Sequence, residues 1–557
     1  MRKNVILYCA TALILMASSC SNIQMPETVN VIPEPQNVTL KDGAFRVTGA
    51  AVYCQPGIDG TATARIEKFA NDLSNATGKK CAFNSGKSAK GISFSVDPSV
   101  GKESYCIDID KRSVKVVAGD ASGILYSIQT LSQMLPVEFF SGVPAPHADW
   151  VLRCVSIKDQ PRFGYRGMHM DVSRHFFPVE EVKKYLDVMA LHKMNRLHWH
   201  LTDDQGWRIE IRKYPELAQK GSVRKGTMIG RNWSTNDGIE YGGYYTQDEI
   251  RDVVSYAESI GITIIPEIDL PGHMMGALHV YPQLGCTGGP YEVWHQWGVS
   301  EQVLCPGKEE TFAFIEDVLA EVMELFPSEY IHIGGDECPK TEWEKCPDCQ
   351  KRIKELGLTA DAGHSAETRL QNYVTARVQE FVNRHGKKII GWDEILEGEL
   401  AEGATVMSWR GVEGGIEAAS RGFDVIMVPT SHFYFDYYQS DRTDLEPLSI
   451  GGNVTFEKVY SFDPMNGIPE SASKHILGVQ ANLWTEYIRT PEHLEYMLLP
   501  RLDALSEVQW CSPEKRDLDR VKRSLEHMGQ IYDQAGYTWC KAVFGEYGLP
   551  GMPGGRN

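Results

Sequence analysis

The 557-residue chain is short of positive charge: 56 Lys and Arg stand against 74 Asp and Glu, a net charge of −18. The basic residues gather into no block. That excludes nucleic acid as a partner and a polybasic patch for an anionic membrane surface. Long apolar runs are scarce as well. The stretch Val5–Met16 is continuous but too short for an ordinary membrane span, and no other segment reaches that length. There is no glycine-rich phosphate cradle with its Lys and no G-x-S-x-G elbow. Phosphate chemistry and the serine elbow of α/β hydrolases drop out with them. What remains is ordinary globular composition, 42% hydrophobic and 23% charged, in a chain too long for one simple domain.

The first residues read as an address. Arg2 and Lys3 precede the apolar run, and Ala17, Ser18 and Ser19 lead into Cys20. This resembles the lipobox of bacterial lipoproteins, so residues 1–20 are expected to be a signal peptide that ends in lipidation of Cys20. The expected location is periplasmic or cell-surface, anchored to a bacterial membrane. Of 13 cysteines, setting aside Cys9 and Cys20 leaves 11, an odd number that forces at least one free thiol or an external partner. Cys286 and Cys305 flank a Gly- and Trp-containing segment and form the best candidate disulfide. Cys338, Cys346 and Cys349 make a C-x7-C-x2-C pattern that could hold zinc but lacks an evident fourth ligand.

Residues 21–160 alternate short strand-like and helix-like stretches, such as the amphipathic Ala62–Thr77, and predict a small α+β domain. From residue 161 to 557 the pattern is strand, loop, helix, repeated eight times, with a helical extension at the C-terminus. Predicted strands are Gly167–Val172, Arg196–Leu201, Thr263–Ile268, Tyr330–Ile333, Lys388–Trp392, Thr405–Trp409, Asp424–Val428 and His475–Gln480. The fold class is therefore α/β, a (β/α)8 barrel, whose chemistry belongs at the C-terminal strand ends. Those ends carry Asp171 and Arg174; Asp203, Asp204 and Trp207; Glu267, Asp269 and His273; Asp336 and Glu337; Trp392, Asp393 and Glu394; Trp409 and Arg410; Tyr434 and Asp436; Trp484 and Glu486. A capping Asp or a core Trp explains each one alone. Eight such ends in succession do not arise that way.

The hexapeptide His332-Ile-Gly-Gly-Asp-Glu337 is the most informative of these ends. Gly334 and Gly335 free the backbone to turn where the strand stops. Asp336 and Glu337 can then splay toward one pocket and take different environments, one ionised and one protonated. Three Trp and a Tyr beside them make an aromatic wall that suits the C–H faces of a sugar.

Six motifs together are similar to the glycoside hydrolase family 20 β-N-acetylhexosaminidases: Arg166-Gly-Met-His-Met-Asp171, His198-Trp-His-Leu-Thr-Asp-Asp-Gln-Gly-Trp207, Pro266-Glu-Ile-Asp-Leu-Pro-Gly-His273, Gly334-Gly-Asp-Glu337, Gly391-Trp-Asp-Glu394 and Leu483-Trp-Thr-Glu486. The resemblance spans residues 166–486. It implies an exo-acting enzyme that removes terminal GlcNAc or GalNAc from HexNAc-terminated glycans without a cofactor. It implies Glu337 as general acid and then base, Asp336 as the group that orients the 2-acetamido function, and Tyr434 as a donor to the acetamido carbonyl. Trp392, Trp409 and Trp484 wall the sugar. Arg166, Asp436 and Glu486 hold hydroxyls. His273, counted with the substrate-binding residues, stands with Asp203 behind the carboxylates.

The residues bear on the mechanism independently. Adjacent carboxylates after one strand cannot easily straddle a sugar as a retaining acid–nucleophile pair does, about 5 Å apart, or as an inverting pair does. The substrate's own acetamido oxygen is then the expected nucleophile, through an oxazolinium intermediate, with Asp336 as the fixed anion. Family 20 is a known exception of this kind. Two other readings compete. His198 and His200, near Asp203 and His273, could make a metal-dependent hydrolase, although Arg196 shares their strand face and the aromatic residues then have no role. A lipid-anchored glycan-binding protein without turnover is the other, opposed by the intact Asp336–Glu337 pair.

Overall fold

The structure, a computed structural model, describes residues 28–549 apart from 399, 401 and 402. The leader and Cys20 lie outside the described residues. A seven-stranded sheet comes first, in the order Asn37–Arg46, Val151–Asp159, Tyr105–Ile109, Ser113–Ala118, Gly91–Val96, Val52–Cys54, Phe83–Ser85. Helices Gly60–Thr77 and Ala121–Met134 complete this unit. The first turns Ile66, Phe69, Ala70 and Leu73 inward, one face of a 3.6-residue period.

Eight parallel strands then close a barrel: Tyr165–Asp171, Arg196–His200, Thr263–Glu267, Tyr330–His332, Lys388–Trp392, Thr405–Ser408, Asp424–Met427 and Ile476–Ala481. Barrel strands are covered on both faces, so they are buried almost throughout. The helices show why they start and stop where they do. Gln247–Ser259 opens on a capping box in which Thr246 and Glu249 satisfy each other's backbone amides, a device that contributes about 1 kcal/mol. Its Ile250, Val253, Val254 and Ala257 face the core, and Gly261, at φ 84°, lets the chain turn back. No helix among the described residues is long and apolar enough to cross a membrane.

The junction of the two units corrects one expectation. Arg166 does not reach the sugar pocket. It is the second residue of the first barrel strand, at the end opposite the pocket. Its guanidinium donates to Glu103 Oε2 at 2.8 Å, Tyr126 Oη at 2.6 Å and Lys193 O at 2.9 Å, and packs over the Trp510 ring. Beside it the buried Lys193 ammonium lies 3.1 Å from Asp159 Oδ2, and Trp510 Nε1 donates to Asp159 Oδ1 at 2.9 Å.

The cysteines need a second correction. Cys286 and Cys305 are not paired; the cysteines of the described residues are free thiols. Cys338 also leaves its predicted group. Its sulfur faces the Pro339 carbonyl, beside Glu337, whereas Cys286, Cys305, Cys346 and Cys349 cluster elsewhere.

Candidate active site

A cavity of about 490 Å3 opens at the C-terminal strand ends. Asp336, Glu337, Trp392, Trp409, Tyr434, Asp436, Trp484 and Glu486 all line it. The fourth strand supplies the two central carboxylates through an unusual run of backbone. Gly334 and Gly335 sit at φ 65° and 100°, and Glu337 itself at φ 45°. A Cβ at Gly334 would fall 1.7 Å from Asp269 Oδ1, so no other residue fits. A left-handed glutamate costs roughly 1–3 kcal/mol and persists only where its surroundings enforce it. The turn separates the neighbours by environment: the Asp336 side chain is 13% exposed and that of Glu337 44%.

His273, also left-handed at φ 51°, stands behind both. Its Nδ1 lies 3.2 Å from Asp203 Oδ1 and 3.1 Å from Asp204 Oδ2, and its Nε2 lies 3.7 Å from Asp336 and from Glu337. Burial opposes charge on this imidazole, but Asp203 and its other acid partners hold its pKa well above the ordinary value. His273 does not line the cavity, so it supports the carboxylates and is not a sugar contact. Asp203 is likewise buried.

Arg174, three residues past the first strand, occupies the place expected of Arg166. It lines the pocket, pairs with Asp203 Oδ2 at 2.8 Å and packs over the Trp484 ring at 5.0 Å. Trp409 and Tyr434 stack at 6.2 Å with ring planes 25° apart. The Trp392 indole is fixed by donation to Glu267 Oε1 at 2.9 Å and that of Trp409 by donation to Glu394 Oε2 at 3.0 Å.

The pocket is crowded with carboxyl groups. Burial raises Asp336 to about 6, with Glu267 and Glu337 adding to the rise and His273 opposing it. The His273 cation, 3.7 Å away, draws Glu337 below its ordinary value. Burial and then Asp336 raise Glu394 to about 8. Burial and then Glu486 raise Asp436 well above its ordinary value. Asp336 Oδ1 and Asp436 Oδ1 are buried without a hydrogen-bond partner among the described residues. Such acceptors demand N–H or O–H donors. A neutral ligand rich in donors, walled by indole faces, fits them; an anionic one does not.

His198 and His200 lie beneath the pocket, fully buried. His200 bridges Glu267 Oε2 at 2.5 Å and Asp203 Oδ2 at 2.9 Å, while His198 contacts Glu267 at 2.9 Å and Gln480 at 3.0 Å. These rings brace the barrel lumen under Trp392 and do not open to the cavity. Residues the sequence did not single out complete the mouth: Arg231, Trp233, Trp297, Val299, Ile450 and Tyr487. They come from long connections without periodicity. The only signal was the presence of tryptophan in polar, irregular segments, and Trp233 is 56% exposed.

The profile "Glycosyl hydrolase family 20, catalytic domain" matches residues 163–513, and "Glycosyl hydrolase family 20, domain 2" matches residues 28–160.

The chain belongs to glycosyl hydrolase family 20.

Among its relatives, the beta-hexosaminidase of Porphyromonas gingivalis is 41% identical over 99% of this chain and 69% of its own length. That of Vibrio furnissii is 32% identical over 86% of this chain and 76% of its own. The GH20 beta-N-acetylhexosaminidase structure from Streptomyces coelicolor superposes with a TM-score of 0.80 at 30% identity, covering 94% of this chain and 98% of that one. The family 20 chain described here is thus a glycoside hydrolase, a beta-hexosaminidase built on a barrel with a small preceding domain.

Proposed function

We propose that this hexosaminidase removes single β-linked HexNAc residues from the non-reducing ends of glycans, with retention, by participation of the substrate's acetamido group. The observation that carries this reading is Asp336: a buried carboxylate with one oxygen unpartnered, on the same strand end as Glu337. It accepts the acetamido N–H and so turns the acetamido oxygen toward the anomeric carbon. As that C–O bond forms, Glu337 gives its proton to the departing glycosidic oxygen. The positive charge that develops on the oxazolinium ring lies against Asp336. Glu337 then takes a proton from the water that opens the ring. Tyr434 directs its hydroxyl at the acetamido oxygen, and Arg174, Asp436 and Glu486 hold hydroxyls. A related Streptomyces plicatus hexosaminidase, 31% identical with a TM-score of 0.79, was solved with its product GlcNAc, which supports the sugar assignment.

A series of aryl glycosides with zero to three fluorines on the N-acetyl group tests the mechanism. Rates are expected to fall steeply with each fluorine, and the product to retain its configuration. A flat response or an inverted product would remove the acetamido group from the role of nucleophile.

We further propose that the enzyme is exported and lipid-anchored through Cys20, on the strength of Arg2, Lys3, the apolar Val5–Met16 and the small residues at 17–19.

A further inference from the structure

Four sulfurs meet outside the pocket. Cys286 and Cys305 lie in the long connection after the third barrel strand, Cys346 and Cys349 in the connection after the fourth. Cys305 Sγ lies 3.5 Å from Cys349 Sγ and 3.6 Å from Cys346 Sγ, and Cys286 Sγ lies 3.8 Å from Cys349 Sγ. All four fall within 4.8 Å of one another. No pair stands apart. Cys349 is near two partners and so is Cys305, so the arrangement is a quartet and not two incipient disulfides, whose sulfurs bond at about 2.05 Å. Zinc–thiolate bonds of about 2.3 Å at tetrahedral angles place neighbouring sulfurs about 3.8 Å apart.

The surroundings fit thiolates around a cation. Cys346-Pro347-Asp348-Cys349 is a C-x2-C turn that opens helix Pro347–Leu356, so amides of the helix N-terminus and its positive dipole end lie beside the sulfurs. A Cβ at Gly307 would come within 2.3 Å of the Asp348 carbonyl carbon and 2.5 Å of the Cys349 nitrogen, so the two turns interlock there. Val303, Trp343, Ile353 and Leu370 pack around the sulfurs; Cys305, Cys346 and Cys349 are buried and Cys286 is partly buried.

We propose that Cys286, Cys305, Cys346 and Cys349 bind one zinc ion. The ion displaces four thiol protons to solvent and forms a closed tetrahedral site with no position left for substrate. Its role is structural. It ties the connection that carries His273 to the connection that begins with Asp336 and Glu337.

The test uses the full chain, incubated with zinc under reducing conditions and then freed of loose metal by gel filtration. Elemental analysis should give one zinc per chain. Titration with a mercurial should release that zinc as four thiols react, and should lower the melting temperature. Cys349→Ser should lose the zinc, while Cys338→Ser, altered just outside the cluster, should keep it. Should Cys349→Ser not fold, the wild-type stoichiometry and the Cys338→Ser protein still decide. Absence of metal, iron in place of zinc, or non-reducing peptide maps that show disulfides among these four cysteines would overturn the proposal.

Discussion

His273 Nε2 lies 3.7 Å from both the Glu337 and the Asp336 carboxylates, and its cation favours the ionised form of each. Glu337 is drawn below its ordinary pKa while Asp336 is raised to about 6. Catalysis needs the reverse, a protonated Glu337 and an ionised Asp336. On the proposed mechanism a bound sugar supplies the difference: its N–H would favour the Asp336 anion, and its bulk would strip water from Glu337.

The first prediction follows from that cation. His273→Ala removes a positive charge that favours both carboxylates ionised. Both limbs of the bell-shaped kcat/KM profile should therefore move to higher pH; they belong to the coupled pair rather than to either residue. Limbs that stay in place while the rate falls would show that the ring acts only by packing.

Asp336→Asn should separate activity from stability. Losing a preorganised charge beside the oxazolinium should cost about 10²–10³ in turnover, even with excellent leaving groups, because cyclisation itself is impaired. The same change should stabilise the fold. Asp336 titrates at about 6 when folded, against an ordinary 3.8. Folding therefore disfavours its anion; the penalty is absent below pH 3.8 and fully developed above about pH 6. A shift of this size corresponds to roughly 2–3 kcal/mol. Denaturant melts at pH 7 should place the variant above wild type, and at pH 3.5 beside it. Equal stability at both pH values would remove the buried charge from the account.

Arg166 and Arg174 should part company. Arg166→Met leaves Glu103 facing a buried gap and should cost roughly 3 kcal/mol of stability with KM unchanged. Arg174→Met should raise KM. A raised KM for Arg166→Met in a protein of normal stability would return that residue to the sugar.

Cys20→Ala should move the enzyme from the membrane fraction to the soluble one, with turnover unaltered. An unmodified N-terminus elsewhere, found by mass spectrometry, would end the anchor proposal.

The barrel could be read because its strands are short apolar runs set between amphipathic helices, and local pattern is enough for that. The predicted Lys388–Trp392 strand is observed unchanged. The strand-end logic also pointed to Asp336, Tyr434 and Trp484, which line the cavity. It went wrong where a motif straddles a strand. Arg166 and Arg174 belong to one short segment, and only the register of Tyr165–Asp171 tells which end of the barrel each one reaches. The cysteines failed for a related reason. Cys286 and Cys349 meet across 63 residues, and the adjacent Cys338 was the more natural choice until the fold brought the other connection over. Trp233 and Trp297 stayed hidden because irregular loops carry no period from which to infer where a side chain ends up.

The junction around Arg166 bears on how this enzyme could be taken apart. Lys193 and Asp159 are both 0% exposed, and they come from different units. Trp510, in a helix that follows the last barrel strand, packs into the core of the small domain. A barrel separated from residues 28–160 would be left with a lysine and an arginine stripped of their acids and an uncovered indole on its underside. The catalytic half is therefore not a transplantable cassette, and chimaeras between relatives should be spliced within the loops of the barrel's upper rim, leaving the seam with the small domain whole.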